Sequence, residues 1–155
     1  MAAISSTADA PLSFASRIWY GSKIKSFLSR GSLTVFAAML NADEFRRLLE
    51  FAHSVGLDVL GEAHTEEELE LAVTADLAGV NARDLRTFST SLERSAALIA
   101  KLKGCGKPVV AESAVRNRED VLMLQSAGAS GFLIGETLMR GDDPGAELGR
   151  LLQCS

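Results

Sequence analysis

Glu62 and His64, Asn81 and Arg83, Glu112 and Ser113, and Gly135 with Glu136 form four polar pairs, each set at the end of a short apolar run. Carboxylates are the groups among them best suited to moving protons. A carboxylate buried at the end of an apolar strand has its proton affinity raised toward neutrality by desolvation, which favours acid or base work at ordinary pH. On the residues alone two readings stay open for Glu62: such a proton-transfer group, or a structural carboxylate paired with an arginine. His64 has no second metal-type residue at a suitable spacing and reads as a packing or hydrogen-bonding side chain. Cys105, between Gly104 and Gly106, has no histidine near it in sequence, and Cys154 is equally isolated. No metal centre is expected from either.

The polar pairs need elements to hold them, and from Ser32 onward apolar runs alternate with helical patterns that carry their own caps. Ser32–Leu40 reads as a strand. Asn41 with Glu44 forms a capping box for a helix stopped by Gly56, and Leu57–Ala63 is the next strand. Thr65 and Glu68 open a second helix, Asp76–Asn81 is a third strand, and a polar stretch leads to a helix over Leu92–Lys103 ended by Gly104. Pro108–Glu112 is a fourth strand, Asn117 caps a helix running to Gly128, and Gly131–Ile134 is a fifth. Asp143 before Pro144 places a capping acid ahead of a proline at the first helical position, for a last helix to about Leu152.

Units of roughly 19 to 32 residues suit parallel strands with crossover helices. The near-continuous apolar strands Val109-Val110-Ala111 and Phe132-Leu133-Ile134 suit a sheet buried on both faces, in a doubly wound sheet or a barrel. Polar residues recurring at strand C-termini favour the barrel, where the active site is built from the ends of several strands. A full (β/α)₈ barrel needs about 250 residues and eight units. The expectation is therefore an α/β fold, a partial TIM barrel of about five βα units over 32–155, preceded by an extension over 1–31.

That extension is rich in Ser and Ala, carries Arg17, Lys23, Lys25 and Arg30, and has Asp9 as its one acid. It reads as an unstructured extension or a transit segment. The 155 residues, 47% of them hydrophobic and 23% charged, suit one globular domain. A net charge of −4 argues against a nucleic-acid partner, because binding a phosphate backbone needs a surplus of Lys and Arg. No apolar run approaches the roughly 20 residues of a membrane helix, so no membrane partner is expected. The cysteine usage points to a reducing compartment: the cytoplasm, or an organelle if the extension is a transit segment.

The motifs point further. Gly61-Glu62-Ala63-His64, the run Gly79–Phe88 containing Asn81-Ala82-Arg83-Asp84, Ala111-Glu112-Ser113-Ala114-Val115, and Phe132–Met139 containing Gly135-Glu136-Thr137 resemble, in order and spacing, the fifth to eighth strands of the indole-3-glycerol phosphate synthase family. The resemblance runs from about Ser32 to Leu152 and makes Ser32–Leu40 the fourth strand. It implies a ribulose-phosphate-binding type of TIM barrel and a carboxy-lyase of tryptophan biosynthesis. The reaction it implies closes the indole ring of 1-(2-carboxyphenylamino)-1-deoxyribulose 5-phosphate with loss of carbon dioxide and water, with no cofactor. It implies Glu62 as general base and Asn81 as the amide that orients substrate. Arg83 either binds charge nearby or forms a surface ion pair with Asp84 or Glu112. Glu112, Ser113, Ala114, Gly135 and the Glu136 amide fall where the family binds substrate phosphate, a task suited to backbone N–H groups in loops after strands.

Two departures from the family pattern stand out. Ala114 replaces a glycine, a costly exchange if the position needs positive φ or close phosphate approach. The first-strand Glu-x-Lys-x-x-Ser element and the third-strand lysine that serves as general acid have no counterpart, since Lys23 and Lys25 lie outside any such motif. The rival reading is a truncated, non-catalytic chain that binds a sugar phosphate or completes a barrel with a partner. Either way a homo-oligomer or a complementing N-terminal half-barrel is the expected relief for exposed sheet edges. A phosphate-binding barrel for an isomerised sugar is a third reading, against which the Asn81–Phe88 motif argues by resemblance.

Overall fold

The computed structural model describes residues 31–84 and 87–152. The extension at 1–30, Leu85, Arg86 and Cys154 lie outside the described residues. Five strands, β1 Ser32–Phe36, β2 Asp58–Ala63, β3 Leu77–Asn81, β4 Val109–Glu112 and β5 Gly131–Leu133, form one parallel sheet in the order β1-β2-β3-β4-β5. Helices α1 Ala42–Ser54, α2 Glu66–Ala72, α3 Leu92–Lys101, α4 Arg118–Ala127, α5 Glu136–Arg140 and α6 Pro144–Leu152 follow the strands. Strand order equals chain order, with none of the reversal that marks a doubly wound sheet, so the sheet is an arc of a barrel.

Side chains alternate across this arc because successive residues of a strand point to opposite faces. Val59, Ala63, Ala78, Val80, Val109, Ala111 and Phe132 are buried on the outer side or in contact with it, and all but Val59 join one cluster with helix residues such as Leu69, Leu98, Ile99, Val121, Leu124 and Leu151. The opposite register, Leu60, Leu77 and Val110 with Leu133, forms a cluster of strand residues alone. Glu62, Gly79, Asn81, Glu112 and Gly135 continue that inner register toward the strand C-termini. The barrel's alternation thus carries the polar residues to the inner rim.

Local chemistry explains the helix starts. The Asn41 side chain accepts the N–H groups of Asp43 and Glu44 at 3.0 Å, and the Glu44 carboxylate accepts the Asn41 N–H. Asn117 accepts from the Asp120 N–H, and Asp143 from those of Gly145 and Ala146. Each cap satisfies N–H groups that have no partner within their helix.

The first strand differs from its expected extent. It ends at Phe36, and Ala37–Met39 forms a turn of 3₁₀ helix closed by the Leu40 N–H on Ala37 O. Alanine and methionine are good helix formers, and an apolar run by itself does not distinguish strand from helical turn. Asp76, expected in β3, stands just before it. Its Oδ2 takes the Val59 N–H and lies 2.8 Å from His53 Nε2. Burial alone would raise its pKa, but these two hydrogen bonds and the nearby Lys107 cation hold it below the usual range. The fifth unit also holds a helix not expected from sequence, α5 directly after Gly135.

Candidate active site

Glu62 and Asn81 are brought together by the register of β2 and β3, which sets Glu62 beside Gly79 and Ala63 beside Val80. Asn81 Nδ2 donates to Glu62 Oε1 at 2.7 Å, and Asn81 Oδ1 accepts the Arg83 N–H at 2.9 Å. The second bond fixes which end of the amide faces Glu62. Among the described residues Glu62 contacts Asn81 and His64 rather than an arginine, so its reading as an arginine-paired structural carboxylate does not hold.

Glu112 pairs with Asn81 in the β3–β4 ladder and is 2% exposed; Glu62 is 1% exposed. Burial first, then the adjacent Glu62 charge and a hydrogen bond with Glu62, push Glu112 well above the usual carboxylate range. Two carboxyl groups in one dry space cannot both ionise cheaply, and the raised proton affinity of Glu112 keeps the proton there. Sequence reasoning expected raised proton affinity of a strand-end carboxylate; the fold places it on Glu112, a residue read as a phosphate contact. Glu112 Oε1 fills the space that a side chain at 79 would occupy, so Gly79 makes room for the pair.

Beside this pair opens a cleft of about 820 Å³, lined by Asn81, Glu112, Ser113, Ala114, Gly135 and Glu136 among others. All the expected site residues but Glu62 border it, and Glu62 joins it through Asn81 and Glu112. Ser113 and Ala114 both have positive φ, 64° and 61°. The Val115 N–H returns to Ser113 O at 2.9 Å, closing a γ-turn of the strained, positive-φ kind about Ala114. The glycine preference at this place therefore has a backbone cause. Gly135, at φ −124°, lies outside the left-handed region and leads into α5.

Arg83 does not project a free charge. Its guanidinium donates to Glu136 at 2.8 Å, and Arg140 holds the other Glu136 oxygen at 2.6 Å. The hydrogen bond from Arg83, with the Arg140 charge next, keeps the Glu136 carboxyl below its ordinary range. This Glu136 partner was not foreseen, because it is 53 residues away in sequence. Three contributors escaped sequence reasoning. Arg116 and Arg140 also line the cleft, and the Thr137 hydroxyl donates to Val115 O, tying the loop after β4 to α5. Arg116 lies in the loop after β4, and Thr137 and Arg140 on the short helix after β5; their place just beyond strand ends was the available signal, but side-chain direction there is set only by the fold. Among the described residues no group of His, Cys, Asp and Glu could hold a metal ion, and no helix is long and apolar enough to cross a membrane.

Residues 28–151 match the family model of indole-3-glycerol phosphate synthase. Indole-3-glycerol phosphate synthase of Carboxydothermus hydrogenoformans is 40% identical over 127 residues, 81% of this chain and 48% of that protein. The enzyme of Neisseria meningitidis serogroup B is 44% identical over 122 residues, 77% of this chain and 46% of that protein. The chain thus spans about half the length of the curated relatives it matches. Among solved structures, a mutant tryptophan synthase alpha-subunit from Pyrococcus furiosus superposes with a TM-score of 0.63 at 18% identity, covering 85% of this chain and 60% of that one. At that identity the likeness speaks for the barrel fold alone.

Proposed function

Because the chain belongs to the indole-3-glycerol phosphate synthase family, we propose that it forms the fourth to eighth strands of such an enzyme and supplies the base side of its reaction. The substrate is 1-(2-carboxyphenylamino)-1-deoxyribulose 5-phosphate, converted by ring closure, decarboxylation and dehydration. The observation that carries this reading is the Glu62–Asn81 bond next to the raised Glu112 at one strand-end cleft. A carboxylate held by an amide donor beside a neutral carboxyl is placed to accept a proton, as general base catalysis requires. The strained loop of Ser113 and Ala114, the Gly135–Glu136 segment and Arg116 form the end of the cleft suited to the phosphate. Arg83 is released to the substrate by exchange of its Glu136 partner. No cofactor enters this reading.

The general acid comes from the family's first three βα units, carried on the same polypeptide or another. The outer edges of β1 and β5, unpaired among the described residues, and the apolar stripe of Leu48, Phe51 and Val55 on and just after α1, favour a partner surface there. A complementing N-terminal half-barrel fits both edges at once, and the cytoplasm is the setting proposed. Indole fluorescence tests the reading: the purified chain is incubated with substrate alone and with a separately expressed N-terminal half of a related synthase. Product with the added half supports it. No product in either arm, from a chain shown to be folded, sinks it in favour of a non-catalytic chain.

A further inference from the structure

His64 is the buried titratable group that the proposed reaction leaves unused. It lies on the inner register two residues beyond Glu62, is 6% exposed, and neither ring nitrogen makes a hydrogen bond of good geometry among the described residues. Yet each nitrogen faces a carboxylate: Nε2 stands 3.1 Å from Glu62 Oε1, and Nδ1 stands 3.5 Å from Glu68 Oε2. Leaving both nitrogens of a buried imidazole unsatisfied is unfavourable, so a role that needs the ring there is called for. Glu68 is the only one of the two carboxylates with access to water. It sits in the first turn of α2, where it also accepts the backbone N–H groups of His64 and Thr65 and keeps a side chain 18% exposed.

Resting on the synthase reading above, we propose that His64 is a positioning and proton-exchange residue for Glu62, linking it to solvent through Glu68. A base that is 1% exposed collects a proton at each turnover and needs a way to lose it. Protonated Glu62 breaks its O–H bond and gives the proton to Nε2, forming an imidazolium. The imidazolium gives its Nδ1 proton to the Glu68 carboxylate, which passes it to water. One proton enters and one leaves, with no redox change. Loss of the Nδ1 proton leaves the ring with its proton on Nε2, and water-mediated tautomerisation, which moves one proton within the ring and changes no charge, returns it before the next turnover to the resting form, with the proton on Nδ1 toward Glu68 and the Nε2 lone pair toward Glu62. The groups that face the ring are Glu62 from β2 and Glu68 from α2, with Glu112 of β4 reaching it through Glu62.

The chain contains two histidines, so nitrogen-15 NMR of the imidazole rings resolves His64 once His53→Gln removes the other signal. The expected result is the Nδ1–H tautomer in the otherwise unaltered chain, with that preference lost in Glu68→Gln. An Nε2–H tautomer, or a ring indifferent to Glu68→Gln, overturns the proposal without touching the synthase reading. In the complemented enzyme, His64→Gln should lower kcat at least tenfold with KM unchanged and bring in a solvent deuterium isotope effect. Equal losses in kcat and folding stability, with no isotope effect, would instead mark a packing residue. If the complemented wild type is silent, the synthase reading fails and the NMR result still decides the tautomer.

Discussion

Asn81 on β3 donates to Oε1 of Glu62 on β2, and the same oxygen is the one His64 approaches from its own strand. One carboxylate oxygen is thus held by Asn81 and approached by the His64 ring from another side. The Asn81 amide cannot turn over, because its carbonyl is engaged by the Arg83 N–H. Loss of Asn81 therefore removes a donor and frees the carboxylate to swing.

In the complemented enzyme Glu62→Gln is expected to lower kcat by about 10²–10⁴, the range for loss of a proton-transfer group. Asn81→Ala acts through the same carboxylate, so the double variant should be no slower than Glu62→Gln alone. Rates of indole formation check this, and multiplicative losses would show that the two residues act separately.

Glu112 sets a pH dependence of stability. Its folded pKa is raised, so its contribution is fully present below the unfolded carboxylate value of about 4.3 and is lost as pH rises through the folded value. Glu112→Gln mimics the protonated group and should remove that decline. Urea midpoints from pH 5 to pH 9 are the measurement, and a variant with an unchanged slope would place the decline elsewhere.

Ala114→Gly relieves a left-handed alanine. Strain of about 1–2 kcal/mol is released, against roughly 0.5–1 kcal/mol of extra chain entropy in the unfolded state, for a net gain of about 0.5–1 kcal/mol. The same change should lower KM for the phosphorylated substrate in the complemented enzyme. A destabilised variant in urea would contradict the strain at this turn.

Gly61→Ala fails for a different reason. A Cβ at 61 would lie 2.7 Å from the Ala72 carbonyl oxygen, which belongs to helix backbone and cannot step aside as a side chain can. The expected loss is about 1–3 kcal/mol, the usual range for overpacking, read from the urea midpoint. A neutral substitution would mean that α2 packs less tightly on β2 than it does here.

Much of this arrangement was legible in the residues. Caps at Asn41, Asn117 and Asp143 were readable because capping is settled within three residues of chain. The rim was readable because polar residues recur at the C-terminal ends of the apolar runs, Glu62 with His64, Asn81 with Arg83 and Glu112 with Ser113. The turn at Ala37–Met39 was not, since a short apolar run suits either conformation. Helix α5 spans little more than one turn, too short for a 3.6-residue period to register. The Arg83–Glu136 pair and the Asn81–Glu62 bond depend on strands meeting in space. Which carboxyl keeps the proton depends in turn on how closely Glu62 and Glu112 are pressed together, and no local pattern encodes that.

The strand order has a consequence for how the molecule comes into being. Among the described residues each strand after β1 pairs with its immediate predecessor in the chain, so each of these βα units completes its pairing using residues already synthesised. The sheet's contacts join near neighbours, and loop closure never spans more than one unit, which keeps contact order low and folding fast for a parallel sheet. Growth can proceed in the direction of translation, with each freshly laid edge serving as the template for the next strand.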